Sequence, residues 1–250
     1  MKLKIIISAL LFFGMFYFNS FAQNKEDVKS MTWQIDNVES IGGHATTKLG
    51  DPVVVEPPGG KAVHFDGIDD GLLVIANPLE GAEAFTVEVV FKPDSAYPDN
   101  QAQRFVHIQN PGSEDRRILI ELRLTEDFQW YLDTFIKSEL SNKTLAKETA
   151  LHPVGEWYHA ALVYENRSMK HFVNAVEELS GEVDYLPISG GYTSLGTRMD
   201  KRSWFKGAIR TLKVTHKALS PEEFLIQTTG VQDKKKDKLL SIKPELSESV

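Results

Sequence analysis

The sequence predicts an all-β protein, a jelly-roll sandwich of two antiparallel sheets with one short C-terminal helix. Three observations predict it. Short apolar runs with period-two alternation recur along the chain; in Phe85-Thr86-Val87-Glu88-Val89-Val90-Phe91 the residues Phe85, Val87, Val89 and Phe91 share one face of a half-buried strand. Turn residues separate these runs at fairly regular spacing, as in sandwiches and jelly rolls. Helix start signals are scarce, with one good example near the C-terminus.

The chain opens on Lys2 and Lys4, continues with an uncharged apolar stretch over 5–18, and exits through Asn19-Ser20-Phe21-Ala22. Charged start, apolar middle and small-residue exit make a secretory signal peptide over 1–22, cut ahead of Gln23. The apolar stretch is shorter than the roughly 20 residues a membrane span needs. The remainder is expected to work in a periplasm or outside the cell. Removing 22 of 250 residues leaves 228, ordinary for one sandwich. A chain of that size buries about 70% of its unfolded surface and needs no disulfide. It has no Cys, so no lipidated cysteine follows the cut either. Losing Lys2 and Lys4 takes the formal charge from −7 to −9, which argues against nucleic acid as partner.

Strands are expected over 62–65 and 72–75, around the turn Asp66-Gly67-Ile68-Asp69-Asp70-Gly71. Further strands follow at 85–91, 104–109, 118–124 and 128–135. Residues 157–164 and 169–173 form a hairpin about Glu165-Asn166-Arg167-Ser168, and 194–196 and 205–215 complete the set. Ser220-Pro221-Glu222-Glu223 reads as a capping Ser, Pro at the first helical position and acids in the first turn of a helix to about 227. Residues 23–230 make one domain, and 231–250 make a charged tail without a core pattern.

Four segments, in order, carry a family resemblance: Ala62-Val63-His64-Phe65-Asp66-Gly67-Ile68-Asp69-Asp70; Phe85 to Lys92-Pro93; Gly155-Glu156-Trp157-Tyr158-His159-Ala160, continuing to Phe172-Val173-Asn174-Ala175; and Phe205-Lys206-Gly207-Ala208-Ile209 with Ala218-Leu219-Ser220-Pro221-Glu222-Glu223. Together they resemble a laminin-G-like domain of the concanavalin A-like lectin/glucanase superfamily over about 31–227. The resemblance implies a concanavalin A-like sandwich. It leaves function open, because this fold hosts lectins, adhesion domains, glycosidases and lyases. Two departures stand out. Ala175 replaces the usual Gly of a turn, so the backbone there either avoids positive φ or carries strain. Arg210 replaces an acid which, where it helps hold calcium, would be a missing ligand.

Asp66, Asp69 and Asp70 surround Gly67 within five residues. Hard oxygens on a tight turn suit Ca²⁺, and the same acids also suit a turn bonded to nearby backbone N–H groups. Side chains two apart in a strand share a face. His107 with Gln109, Glu121 with Arg123, and Tyr131 with Asp133 therefore form a candidate polar patch, edged by His171, Arg198 and Trp204. Rings stack on sugar faces, and carboxylates and Arg hold hydroxyl or uronate groups. The first reading is a secreted carbohydrate-binding protein. The second is a polysaccharide lyase, for which His107, Gln109, Arg123 and Tyr131 supply a neutraliser and a base; Ile120-Glu121-Leu122-Arg123 and Trp204-Phe205-Lys206-Gly207 resemble alginate-lyase motifs in a different order. A glycosidase is less favoured: Glu182 and Asp184 start an acid pattern that Pro187 breaks, which leaves Glu121 and Asp133. A third reading is adhesion to a protein partner. Gly59-Gly60-Lys61 lacks the rest of a phosphate loop, and the seven His residues are dispersed, against zinc. Trp33, Trp130 and Trp157 are expected to pack in the core or on a sheet, and Trp204 to be more exposed.

Overall fold

Seventeen strands in two antiparallel sheets make up the computed structural model, which describes residues 28–225. The expected leader at 1–22 and tail at 231–250 lie outside the described residues. One sheet has eight strands. It runs Val176–Glu182, Ser168–Val173, Tyr158–Glu165, Phe85–Pro93, Lys206–Thr215, Ala62–Asp66 and Val53–Val55, with Ser30–Gln34 also paired to Lys206–Thr215. The other has nine. It runs Ser141–Ala146, Gln129–Ser138, Arg116–Leu124, Ala102–Gln109, Tyr192–Leu195, Gly71–Val74, His44–Leu49 and Ser40–Ile41, with His152–Pro153 against Gln129–Ser138.

Period-two alternation sends one face of each strand into the layer between the sheets. Phe65, Phe85, Phe91, Phe105, Trp130 and Phe205 are fully buried there. Phe91 and Phe105 stack at 4.4 Å between centroids, and Trp130 meets Phe91 edge-on at 5.2 Å. Each such ring removes 150–250 Å² from water, so these contacts dominate the core.

The strand Phe85–Pro93 is not half-buried as expected. Thr86 and Glu88, on its outer side, are also inaccessible. The cover is the segment after Thr215. Thr86 Oγ1 donates to the Lys217 carbonyl (2.8 Å) and accepts from Leu219 N–H (2.9 Å). Glu88 Oε1 bonds His159 Nε2 (3.0 Å) and accepts the Leu225 N–H, while Lys213 Nζ lies 3.1 Å from Oε2. Phe224 fills a small second cluster with Ala161, Val163 and Phe172. The expected C-terminal helix is one 3₁₀ turn, Pro221–Glu223, in which Glu223 Oε2 accepts the Ser220 N–H at 2.9 Å. Phe224 leaves helical conformation (φ −67°, ψ 161°) to reach its cluster, which ends the helix early.

Seven strands were not anticipated, among them His44–Leu49, Ser141–Ala146 and Val176–Glu182. Their residues are mostly exposed or half-buried on both faces, so no apolar alternation marks them. Between Val173 and Val176, Asn174 (φ 49°) and Ala175 (φ 64°) form a two-residue hairpin turn, so Ala175 carries the strain that Gly would avoid.

Candidate functional site

On the strand Arg116–Leu124, the residues Ile118, Ile120, Leu122 and Leu124 belong to the core. Alternation therefore sends Arg117, Leu119, Glu121 and Arg123 to the outer face of the nine-stranded sheet. Antiparallel register extends that face. Asp133 lies opposite Glu121, Tyr131 opposite Arg123, His107 opposite Leu119 and Gln109 opposite Arg117. A β-bulge between Arg104 and Val106 turns Phe105 and Val106 both into the core, and sets Arg104 opposite Glu121 although it is three residues from His107.

A depression of about 210 Å³ opens on this face, walled by Arg104, Arg117, Glu121, Arg123, Asp133 and Arg198. Arg198 arrives from the segment between Tyr192–Leu195 and Lys206–Thr215, which is pinned where Met199 N–H donates to His107 Nδ1 at 3.0 Å. Arg104 Nε donates to Glu121 Oε1 (2.9 Å), and Arg123 Nε to Asp133 Oδ2 (2.8 Å). Arg123 Nη2 also reaches Glu121 Oε2 at 3.4 Å. Glu121 and Asp133 are only 5% and 2% exposed. Burial pushes both carboxyls above the usual range, Asp133 pushes Glu121 further, and the arginines pull back. Four guanidiniums and two carboxylates wall the depression, and Glu114, from outside the wall, pairs with Arg117 and Arg198.

His107 is fully buried. A backbone N–H can only donate, so Nδ1 is the acceptor and the neutral ring carries its hydrogen on Nε2. Burial, then the charges of Arg198, Arg117 and Arg104, push its pKa down to about 3. His107 is thus a neutral N–H donor, and its Nε2 has no partner among the described residues.

Gln109 and Tyr131 share the outer face beside the depression. His171 does not join it: it lies in the eight-stranded sheet, fully buried, and its Nδ1 meets Thr134 Oγ1 at 3.1 Å across the sandwich. Trp204 is half-buried outside the depression, and its carbonyl accepts from Asn100 Nδ2. Asp66, Asp69 and Asp70 bring ligand atoms within 4.8 Å of one another. Three of their six oxygens already serve the backbone. Asp66 Oδ1 accepts from Ile68 and Asp69 N–H (2.8 and 3.2 Å), and Asp70 Oδ1 and Oδ2 accept from Asp51 and Asp66 N–H (2.7 and 2.9 Å). Arg210 donates to the Pro58 carbonyl and lies 3.9 Å over the Trp157 ring. These side chains do not by themselves make the six to eight ligands of calcium.

A laminin-G family model, described as the concanavalin A-like lectin/glucanases superfamily, matches residues 66–224. The chain belongs to this superfamily. No curated protein sequence matches it. Among solved structures it is similar to domain 4 of AbnA, an extracellular arabinanase of Geobacillus stearothermophilus, in complex with arabinotriose: 20% identity, TM-score 0.59, covering 79% of this chain and 97% of that one. It is also similar to a heptameric SAP-like pentraxin of Limulus polyphemus (16%, TM-score 0.54, 65% and 78% covered). A third similar structure is a botulinum neurotoxin type G receptor-binding domain (9%, TM-score 0.54, 83% and 51% covered). At these identities the likeness speaks for fold.

Within this superfamily chain, the motif residues Glu88 and His159 hold the C-terminal segment rather than a ligand. Sequence reasoning missed Arg104 and Arg117. Arg104 breaks the two-residue spacing because of the bulge, which nothing in the local sequence marks. Arg117 had a signal, since it shares the parity of Glu121 and Arg123, but lay one residue outside the expected strand.

Proposed function

We propose that this is an exported glycan-binding protein whose ligand lies on the outer face of the nine-stranded sheet. The observation that carries the reading is the convergence of Arg104, Arg123, Glu121 and Asp133 around one depression, each side chain fixed by an ion pair before any ligand arrives. Charged groups held this way present donors and acceptors to sugar hydroxyls at little ordering cost. The N-terminal leader sequence supports export.

Binding is favoured over elimination by the state of the two base candidates. His107 has its hydrogen on Nε2 and its Nδ1 engaged. The Tyr131 hydroxyl is pushed up by burial and by Glu148, the wrong direction for a base near neutral pH.

Affinity electrophoresis against a panel of neutral and acidic polysaccharides tests the reading. At least one polysaccharide should retard the protein. Glu121→Gln should weaken that retardation at least tenfold while keeping the melting temperature within a few degrees. Undiminished binding by both Glu121→Gln and Arg123→Ala refutes this face. Release of an ultraviolet-absorbing unsaturated product would instead establish the lyase reading.

A further inference from the structure

Two guanidiniums in the depression are bridged by a carboxylate of the protein itself. Arg117 Nη1 lies 3.2 Å, and Arg198 Nη2 2.8 Å, from Glu114 Oε2. The two arginine side chains are 13% and 11% exposed, whereas that of Glu114 is 48% exposed. Both arginine Nε atoms are buried without a hydrogen bond among the described residues. Asp200 stands 3.6 Å from Arg198 Nε, beyond hydrogen-bonding distance, and turns to Arg202 at 2.7 Å. Arg117 is held in place over the Phe135 ring at 5.2 Å. Burial and the neighbouring Arg198 charge push the Arg117 guanidinium below its ordinary range, against the opposing pull of Glu114, Asp200 and Glu121. Beside it lies His107, whose Nε2–H has no partner among the described residues.

Two such forks favour a planar or tetrahedral oxyanion, because each presents parallel N–H donors. Glu114 supplies one from the loop joining Ala102–Gln109 to Arg116–Leu124. It is the member of the group that water already reaches, so it is the one that leaves at least cost.

We propose that Arg117 and Arg198 are the seat for an anionic group of the bound glycan, a uronate carboxylate or a sulfate ester, and that Glu114 fills this seat in the free protein and leaves it on binding. The proposal rests on the glycan reading above. It makes the specificity of the face one for acidic polysaccharides, and makes Glu114 an internal competitor.

Calorimetry with three oligosaccharides of equal length tests it: oligogalacturonate, sulfated galacto-oligosaccharide and the neutral galacto-oligosaccharide. One anionic probe should bind at least tenfold tighter than the neutral one, and which of the two does so distinguishes carboxylate from sulfate. Glu114→Gln should bind that probe three- to tenfold tighter than wild type. Asp115→Asn removes the same charge one residue away, from a side chain paired with Lys137, and should bind as wild type. Arg198→Met should lose at least tenfold toward the anionic probe and little toward the neutral one; Glu114→Gln and Asp115→Asn keep the test readable where Arg198→Met fails to fold. Equal binding of neutral and anionic probes overturns the anion seat and leaves the glycan reading standing. Glu114→Gln no tighter than Asp115→Asn overturns the competitor role. Silence of these probes together with the whole polysaccharide panel overturns both.

Discussion

Arg123→Met isolates the central ion pair of the face. The substitution removes the contacts of Arg123 Nε and Nη2 with Asp133 Oδ2, at 2.8 and 2.7 Å, and a longer one with Glu121. Glu121 keeps Arg104, but among the described residues Asp133 keeps no hydrogen bond, its Oδ1 being already buried without one, and retains only the more distant charge of Arg104. While Asp133 stays ionised, at pH 7, the lost charge-assisted bonds set a floor of about 1.5–3 kcal/mol. Protonation sets a ceiling. An unfolded Asp titrates near 3.9, so neutralising Asp133 costs about 4 kcal/mol at pH 7 and about 1.5 kcal/mol at pH 5, at 1.36 kcal/mol per pH unit. Arg123 is itself 31% exposed, and solvent screening draws the value below the ceiling. The expected loss is about 2–4 kcal/mol at pH 7, shrinking toward about 1.5 kcal/mol or less at pH 5. The sign follows from linkage: in the variant, native Asp133 holds a proton more tightly than the unfolded chain does, so acid relieves the penalty. Urea unfolding at both pH values reads it. A cost under about 1 kcal/mol at pH 7, or one that does not shrink at pH 5, refutes the reasoning. Adding Asp133→Asn should return more than about 1 kcal/mol, because the stranded charge is gone.

Ala175→Gly should stabilise by about 0.5–1 kcal/mol in the same assay, since the turn holds φ at 64°. Glu88→Gln should cost about 1.5–3 kcal/mol and speed amide exchange over 216–225, because it unpairs Lys213 under the C-terminal segment. Burial pushes the Glu88 carboxyl up, but His159, the Leu225 N–H and Lys213 outweigh it and hold it below 4.5; its contribution is therefore complete above pH 4.5 and fades as pH falls through the lowered value. Nitrogen NMR of His107 should show the neutral Nε2–H tautomer from pH 8 to 4, and titration near 6.5 would contradict the buried hydrogen bond to Met199. Millimolar calcium should leave the melting temperature unchanged; a rise of several degrees would show that backbone and water complete a shell at the Asp66–Asp70 turn.

The sequence by itself determined the class of fold, because inward-facing residues repeat at period two and leave a pattern wherever one face is dry. It also determined that Glu121 and Arg123 oppose the core, and hence which face carries charge. Strands exposed on both sides, such as Val176–Glu182, left no such pattern. Tertiary structure decided what lies across each strand. It buried both sides of Phe85–Pro93 beneath a segment more than a hundred residues later. It turned His171 into the layer between the sheets, although its spacing allowed either face. A single bulge brought Arg104 beside Glu121, and a distant loop brought Arg198 and Glu114 together. Register, bulges and loop closure depend on contacts between residues remote in sequence, and local alternation carries no record of them.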